Sequence, residues 1–570
     1  MKRITQLFAS SLVAISVVSC GGSDQLNTEP QAVLTEEQVA TAENVDALVI
    51  AAYSYLGNDH YTSPNFLWPT GNLRAGDAHK GGNGPSDIFA YHALSLFEPI
   101  VPDMESFPPD LIDLNDKKWG RNYTGISRAN SALKVIAAAG SDLTDGQLKA
   151  AELRFIRGFF YFDLKIHHKH IPWIDENMTQ EEILAASNRD LTDQQLWDKI
   201  ADDFRFAANT LPDIQDDVGR ASALSAKAYL AKTLLFQAYE QDDMHNVVNI
   251  NQSKLEEVVS LVNDIEASGV YGLYDDYAKN FLFEFENGKE SVFAIQRSLN
   301  DGSPDGRGSW PTALSAPMAG GFGCCGFHVP TDNFVNAFKT NDGGLPQFTS
   351  FNDVNYDMAT DYVDPRLDHT VAMEGKPFKY DPAIIHGGDS WARAPGIYGN
   401  FNSMKEMEHP DCACRGENGP FPIFSLNTVI IRYADVLLWK AEALIELDRW
   451  DEALPIINQL RERAANSTGR LNNASLYRIG SYDGFASKED ARRALRWERR
   501  LELGLEGHRF FDLVRWGVAK ETLDPYFEVE QGRKAYLQDA RFTKNKHEYL
   551  PIPNQQINLS GGIYVQNPGY

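Results

Sequence analysis

Apolar positions recur at helical spacing in three stretches of the first half of the chain. In "AAELRFIRGFFYFDLK" (150–165), Leu153, Ile156, Phe160 and Leu164 fall three or four apart, with Arg157 beside Ile156. Ala223–Tyr239 and Leu255–Ile265 show the same amphipathic period. Between 270 and 425 the pattern changes. Glycine, proline and aromatic residues interrupt short β-type runs such as "ESVFAIQRS" (290–298). Helical spacing returns at Thr428 and continues to about Trp516. The pattern predicts a mainly α protein with a loop-rich middle.

One helical pair is legible in detail. In "YADVLLWKAEALIELDRWDEALPIINQLRERA" (433–464), Tyr433, Leu437, Ala441 and Leu444 line one helix, and Trp450, Leu454, Ile457 and Leu460 line the next. Asp448-Arg449 makes the turn. The junction resembles that of a tetratricopeptide repeat, with Trp450 at its aromatic position and Ala453 at its small one. One such pair cannot bury its own apolar face, so the helices at 150–166 and 223–266 are expected as partners.

Composition then narrows the function. The 43% of hydrophobic residues suffices for a sizeable core. With 53 basic and 79 acidic residues the net charge is −26, which disfavours nucleic acid as a partner. Lys2 and Arg3 precede a mostly apolar run that ends at Val17-Val18-Ser19-Cys20. This reads as a signal peptide (1–19) closed by a bacterial lipobox, with Cys20 as the lipidated residue. Two or more acyl chains there give stable membrane anchoring. Residues 20–40 read as a polar tether. The body at 41–570 divides into a helical part (41–270), a loop-rich insertion (271–427) and a second helical part with a tail (428–570).

Four further cysteines stand in two groups, Cys324-Cys325 and Cys412/Cys414. Their spacing is not that of a zinc site, and an exported chain permits disulfides. Bridges between the groups are expected, each closing roughly 90 residues and contributing about 4 kcal/mol on the chain-entropy account. Adjacent-cysteine and Cys-x-Cys bridges stay open as strained alternatives.

Several motifs together resemble the SusD/RagB family of Bacteroidetes lipoproteins. They are "RWERRLELGLEGHRFFDLVRWG" (496–517), the ending "YLPIPNQQINLSGGIYVQNPGY" (549–570), "RYADVLLWKAEAL" (432–444), "GRASALSAKAYLAK" (219–232) and "AELRFIRGFFYFDL" (151–164). The resemblance implies a scaffold of tetratricopeptide-type helical pairs, with long loops and small β elements on a ligand face. It implies a surface-facing outer-membrane lipoprotein that binds polysaccharide or oligosaccharide and passes it to a SusC-type TonB-dependent transporter. No cofactor, metal or reaction is needed for that task. The segment 496–517 itself reads as scaffold. Trp497, Leu501 and Leu505 share a face, Arg499 is placed to pair with Glu502, and Gly507 permits a break before Phe510, Phe511 and Trp516 return to the core. Glu498, Glu502 and His508 are therefore not read as catalytic.

Sugar rings present apolar C–H faces with a polar rim, so their sites need aromatic platforms edged by amides, carboxylates and arginines. Residues 65–82 offer Trp68, Asn72, Arg74 and Asp77. Residues 299–327 offer Arg307 and Trp310, and "SWARAPGIYGN" (390–400) offers Trp391 and Tyr398. The acidic balance tilts the expectation to a neutral glucan, although Arg74, Lys80, Arg307 and Arg393 would suit an anionic one. A RagB-like role in peptide or other nutrient capture is the alternative. A glycoside hydrolase is the alternative of another class, since a suitably spaced carboxylate pair is not visible in sequence. No nucleophile elbow, phosphate loop or zinc-hydrolase signature appears. His167, His168 and His170 could suggest a metal, but they sit at a helix end, where histidines also favour the negative end of the dipole.

Overall fold

The computed structural model describes residues 41–61, 64–99, 114–302 and 307–570. The signal peptide, Cys20 and the tether lie outside the described residues. Among the described residues, nine helices form the scaffold: α1 (Ala42–Gly57), α2 (Leu114–Ala139), α3 (Gly146–His168), α4 (Asp193–Thr210), α5 (Ala223–Ala238), α6 (Gln252–Ala267), α7 (Tyr433–Glu446), α8 (Trp450–Asn466) and α9 (Lys488–Glu502). Local chemistry starts several of them. Thr192 and Gln195 make a reciprocal capping box on α4, and Ser222 and Ser225 make one on α5. The 150–165 pattern is the centre of the longer α3, whose C-terminal stop is Lys169 at φ +61°.

The helices pack in successive hairpins. The pair α2–α3 is followed by α4–α5, α6 packs on α5 and α7, and α7 pairs with α8. Gly125 lets α2 approach α3 closely, because a Cβ there would overlap the Phe160 ring. In the second half, Asp448 turns the chain at φ +62°, and Ala453 is fully buried, as the repeat-like junction predicted. α7 is buried around nearly its whole circumference, since α6, α8 and α9 all pack on it.

Small two-stranded sheets carry the intervening chain. β1 (Ala78–Gly81) pairs antiparallel with β3 (Phe327–Pro330), and β2 (Ser291–Ile295) pairs antiparallel with β5 (Thr428–Arg432). β4 (Phe421–Phe424) pairs with residues 415–418. The return to helix thus begins at Tyr433 and not at Thr428. The β-branched run Thr428–Ile431 takes the strand conformation its side chains favour.

Among the described residues the buried apolar side chains form three clusters. The largest lies within the helical scaffold. A second surrounds Trp68, Tyr91, Trp310 and Phe327, and a third surrounds Phe322, Phe378, Trp391 and Met407. A buried charge network joins scaffold to loops and corrects one expectation. Glu502 does not pair with Arg499 but receives Arg366 (3.0 Å), Arg432 (3.0 Å) and Arg463 (2.6 Å). Arg499 instead binds Asp435 at 2.7 Å and Asp512 at 2.8 Å. A carboxylate with no solvent exposure needs more than one donor, and a single helical neighbour cannot supply them.

The C-terminal tail closes over the end of α3. Leu550 N donates to His167 O at 2.7 Å, and Asn567 Nδ2 donates to the carbonyls of His168 and Leu550 at 2.9 Å. This accounts for the histidine cluster. Burial holds His167 well below the ordinary histidine range and His168 at about 3, so both rings are neutral parts of the packing.

Candidate functional site

Most of the aromatic and polar residues proposed from the loops are buried. Trp68 is 2% exposed, with ring centroids 4.6 Å from His328 and 5.9 Å from Phe66 in stacked geometry. Asn72 is buried, and its backbone carbonyl accepts from the N–H groups of Asp77 and Ala78. Arg74 lies 4.0 Å from the Phe510 ring centroid and donates to the His547 carbonyl, and burial lowers it to about 10. Asp77 is held by Arg500. Trp391 packs on Phe378 and His386, and Tyr398 packs on Tyr536. These side chains are buried within the framework and present no open face to solvent. Most of their partners come from distant segments: His328 for Trp68, Phe510 for Arg74, Arg500 for Asp77 and Tyr536 for Tyr398.

Arg307 and Trp310 lie in another segment, and Trp310 centres a cluster of partly exposed rings. Arg307 is half-buried and donates to Ser54 O at 3.0 Å. Trp310 is 5% exposed, but its neighbours are not buried to the same degree. Its ring centroid is 5.1 Å from Tyr61, 5.3 Å from Phe421 and 4.6 Å from His60, and Tyr61 is 5.9 Å from Phe421. Tyr61, His60 and Phe421 are each half-buried, so their rings are shared between core and surface. Three separate elements bring them together. Tyr61 follows α1, Trp310 begins a short helix (Trp310–Ser315), and Phe421 opens β4. Ser309 N donates to Phe424 O at 2.7 Å and locks that helix to the strand.

The Asp87–Arg393 charge pair lies near enough to Tyr61 for the Asp87 charge to act on its phenol. Asp87 Oδ2 accepts from Arg393 Nη1 at 2.9 Å and from Asn83 N at 2.8 Å. Burial raises the Tyr61 phenol, and the Asp87 charge adds to that. Lys80 lies beneath, donating to the carbonyls of Gly84 and Asp87, and burial lowers its ammonium to about 7. The segment carrying Lys80 and Asp87 is held by β1–β3 pairing and by Gly82 N donating to Gly326 O at 2.8 Å.

The cysteines pair within their groups, Cys324 with Cys325 and Cys412 with Cys414. The expectation of bridges between groups is therefore corrected. The first pair packs with the Trp310 cluster and the second with the Trp391 cluster. The two loops are joined by Arg415, which donates to the carbonyls of Gly321 (2.9 Å) and Pro410 (3.2 Å).

Chemically, the arrangement offers apolar ring faces beside a carboxylate–guanidinium pair with partial solvent access. Tyr61, His60, Phe421 and Asp87 were missed in sequence. They stand in short proline- and glycine-containing stretches ("NDHYTSPN", "NGPSDIF", "GPFPIF") with too little periodicity to assign a face. Among the described residues, no group of three or more histidine, cysteine, aspartate or glutamate side chains is placed to hold a metal ion. No helix among them is long and apolar enough to cross a membrane.

Comparison with known proteins bears on the fold and the family. Residues 423–570 match the family described as "SusD family", and residues 105–235 match the one described as "Starch-binding associating with outer membrane". "SusD-like protein P2" of Formosa agariphila is 25% identical over 79% of this chain and 80% of its own length. "SusD-like protein P25" of the same organism is 24% identical over 98% of this chain and 97% of its own. Among solved structures, a "Laminarin binding SusD-like protein" superposes with a TM-score of 0.65 at 23% identity, covering 93% of this chain and 100% of that one. "Surface glycan-binding protein A" from Bacteroides thetaiotaomicron in complex with laminarihexaose superposes with a TM-score of 0.66 at 20% identity, covering 92% and 99%.

Proposed function

The chain belongs to the SusD/RagB family, and from that premise we propose that it binds glycan through the Tyr61–Trp310–Phe421 face. The observation that carries this reading is the half-buried ring pair Tyr61 and Phe421 beside Trp310, with the Asp87–Arg393 pair near enough to Tyr61 for the Asp87 charge to act on its phenol. Rings of that kind pack on the C–H faces of a pyranose, and the charged pair meets its hydroxyls. The ligands named for the similar structures, laminarin and laminarihexaose, are neutral glucans and support that class. So does the local charge balance, because Arg393 is matched by Asp87 and Lys80 is buried against carbonyls.

On the same reading, Cys20 carries the lipid that holds the protein on the outer membrane. The protein then delivers its glycan to a SusC-type transporter, and no catalytic step is involved. Affinity electrophoresis against neutral and charged polysaccharides tests the binding. Retardation by a neutral α- or β-glucan without release of reducing ends is expected. Failure of every polysaccharide, or retardation only by acidic ones, would sink the glucan reading.

A further inference from the structure

The short helix that begins at Trp310 also walls a cavity of about 150 Å³, through Ser309, Pro311 and Thr312. Phe66, Phe281, Phe285 and Val429 supply much of its apolar lining. An apolar cavity of roughly 150 Å³ is large enough to admit a six-membered ring such as benzene. This cavity is not apolar throughout. Trp68 Nε1 and Asn65 Oδ1 belong to lining residues, are buried, and have no hydrogen-bond partner. Buried polar groups are normally paired, so an orphaned donor and an orphaned acceptor at one cavity call for an explanation.

The charged lining residues do not call for an ion. Arg297 is matched by Asp59 at 3.1 Å, and Arg432 and Lys405 are matched by Glu506 at 2.9 and 2.8 Å. Glu406 accepts from Ser315 and lies 2.7 Å from His328 Nδ1. Glu286 accepts from the Asn427 N–H, and burial pushes its carboxyl up to about 7. What the cavity lacks is an acceptor for one N–H and a donor for one oxygen. Hydroxyl groups supply both, and a saturated ring supplies the apolar body.

We propose that this cavity is a second binding site, which takes one neutral pyranose unit with its hydroxyls on Trp68 Nε1 and Asn65 Oδ1. Its ligand class rests on the glycan reading, but its place does not, because Tyr61 and Phe421 are outside the lining.

Calorimetric titration of the full-length protein with the methyl glucosides, methyl galactosides and methyl mannosides tests it. At least one should bind, and binding should weaken about tenfold in Trp68→Phe, which keeps the ring and removes the N–H. Val429→Phe, which fills the cavity, should abolish it. Phe421→Ala should leave it unchanged while weakening retardation by polysaccharide, so the two sites fail separately. The proposal is overturned if no methyl pyranoside binds, if Trp68→Phe and Val429→Phe both bind as tightly as the parent, or if Phe421→Ala removes the binding.

Discussion

Arg500 donates from both Nε and Nη2 to one oxygen of Asp77, at 3.0 and 2.8 Å, across 423 positions of sequence. Asp77 is 1% exposed, and Arg509 approaches the same oxygen at 3.5 Å. The contact ties the ligand-side loop before β1 to the helical segment that ends the scaffold. A residue with the composition of a sugar contact is thereby a strut between two halves of the fold.

Asp77→Asn leaves Arg500 buried without its charge partner. Removing one member of a buried pair costs about 3–5 kcal/mol. Thermal denaturation should show a large loss of stability. Glycan retardation by the protein that remains folded should match the parent, and a selective loss of binding at unchanged stability would return Asp77 to the ligand site.

Phe421→Ala and Trp310→Ala should separate by readout. Phe421 is half-buried at the rim, so its loss should weaken polysaccharide binding roughly tenfold with a small change in melting temperature. Trp310 is 5% exposed, and truncating it should cost about 3–5 kcal/mol of stability as well as binding. Equal effects of both variants on stability would contradict this division.

The disulfides close very short loops, between residues 324 and 325 and between 412 and 414. In the chain-entropy account such a loop contributes about 2 kcal/mol or less, well below a bridge across some 90 residues. Cys412→Ser with Cys414→Ser should therefore lower stability only modestly. Non-reducing peptide mapping should find each pair within its own peptide; a linked peptide joining the two groups would refute the pairing.

Acid should destabilise the protein in two stages. Burial would raise the Glu506 carboxyl, but the charges of Arg432 and Lys405 outweigh it and hold the group at about 2. The unfolded chain, titrating near ~4.3, then binds more protons as pH falls from about 4.3 toward 2, and about 3 kcal/mol is lost over that window. His168, lowered by burial to about 3, acts with the same sign from about pH 6.5 downward, because only the unfolded chain protonates it there. In urea titrations from pH 7 to pH 3, Glu506→Gln should be less stable than the parent at pH 7, with the gap narrowing below about pH 4.3. A gap independent of pH would remove Glu506 from the acid response.

The helical scaffold and the family were legible in the sequence. A helix writes its buried face as a local three-to-four-residue period, and Leu153, Ile156, Phe160 and Leu164 carry that period without reference to the rest of the chain. The turn at Asp448 and the small residue at Ala453 were equally local. The site was not legible. Between 270 and 427 no period assigns a side chain to inside or outside, and the deciding contacts come from distant segments. Trp68 is buried because His328 stacks on it, and Tyr61 lies at the rim because Trp310 and Phe421 pack beside it. Glu502 likewise takes its partners from positions 366, 432 and 463 rather than from its own helix. Sequence alone thus determined the frame, because helix formation and its apolar stripe depend on near neighbours. Only the tertiary structure decided which aromatic rings reach solvent and which cysteines meet, because burial in irregular segments depends on what packs over them.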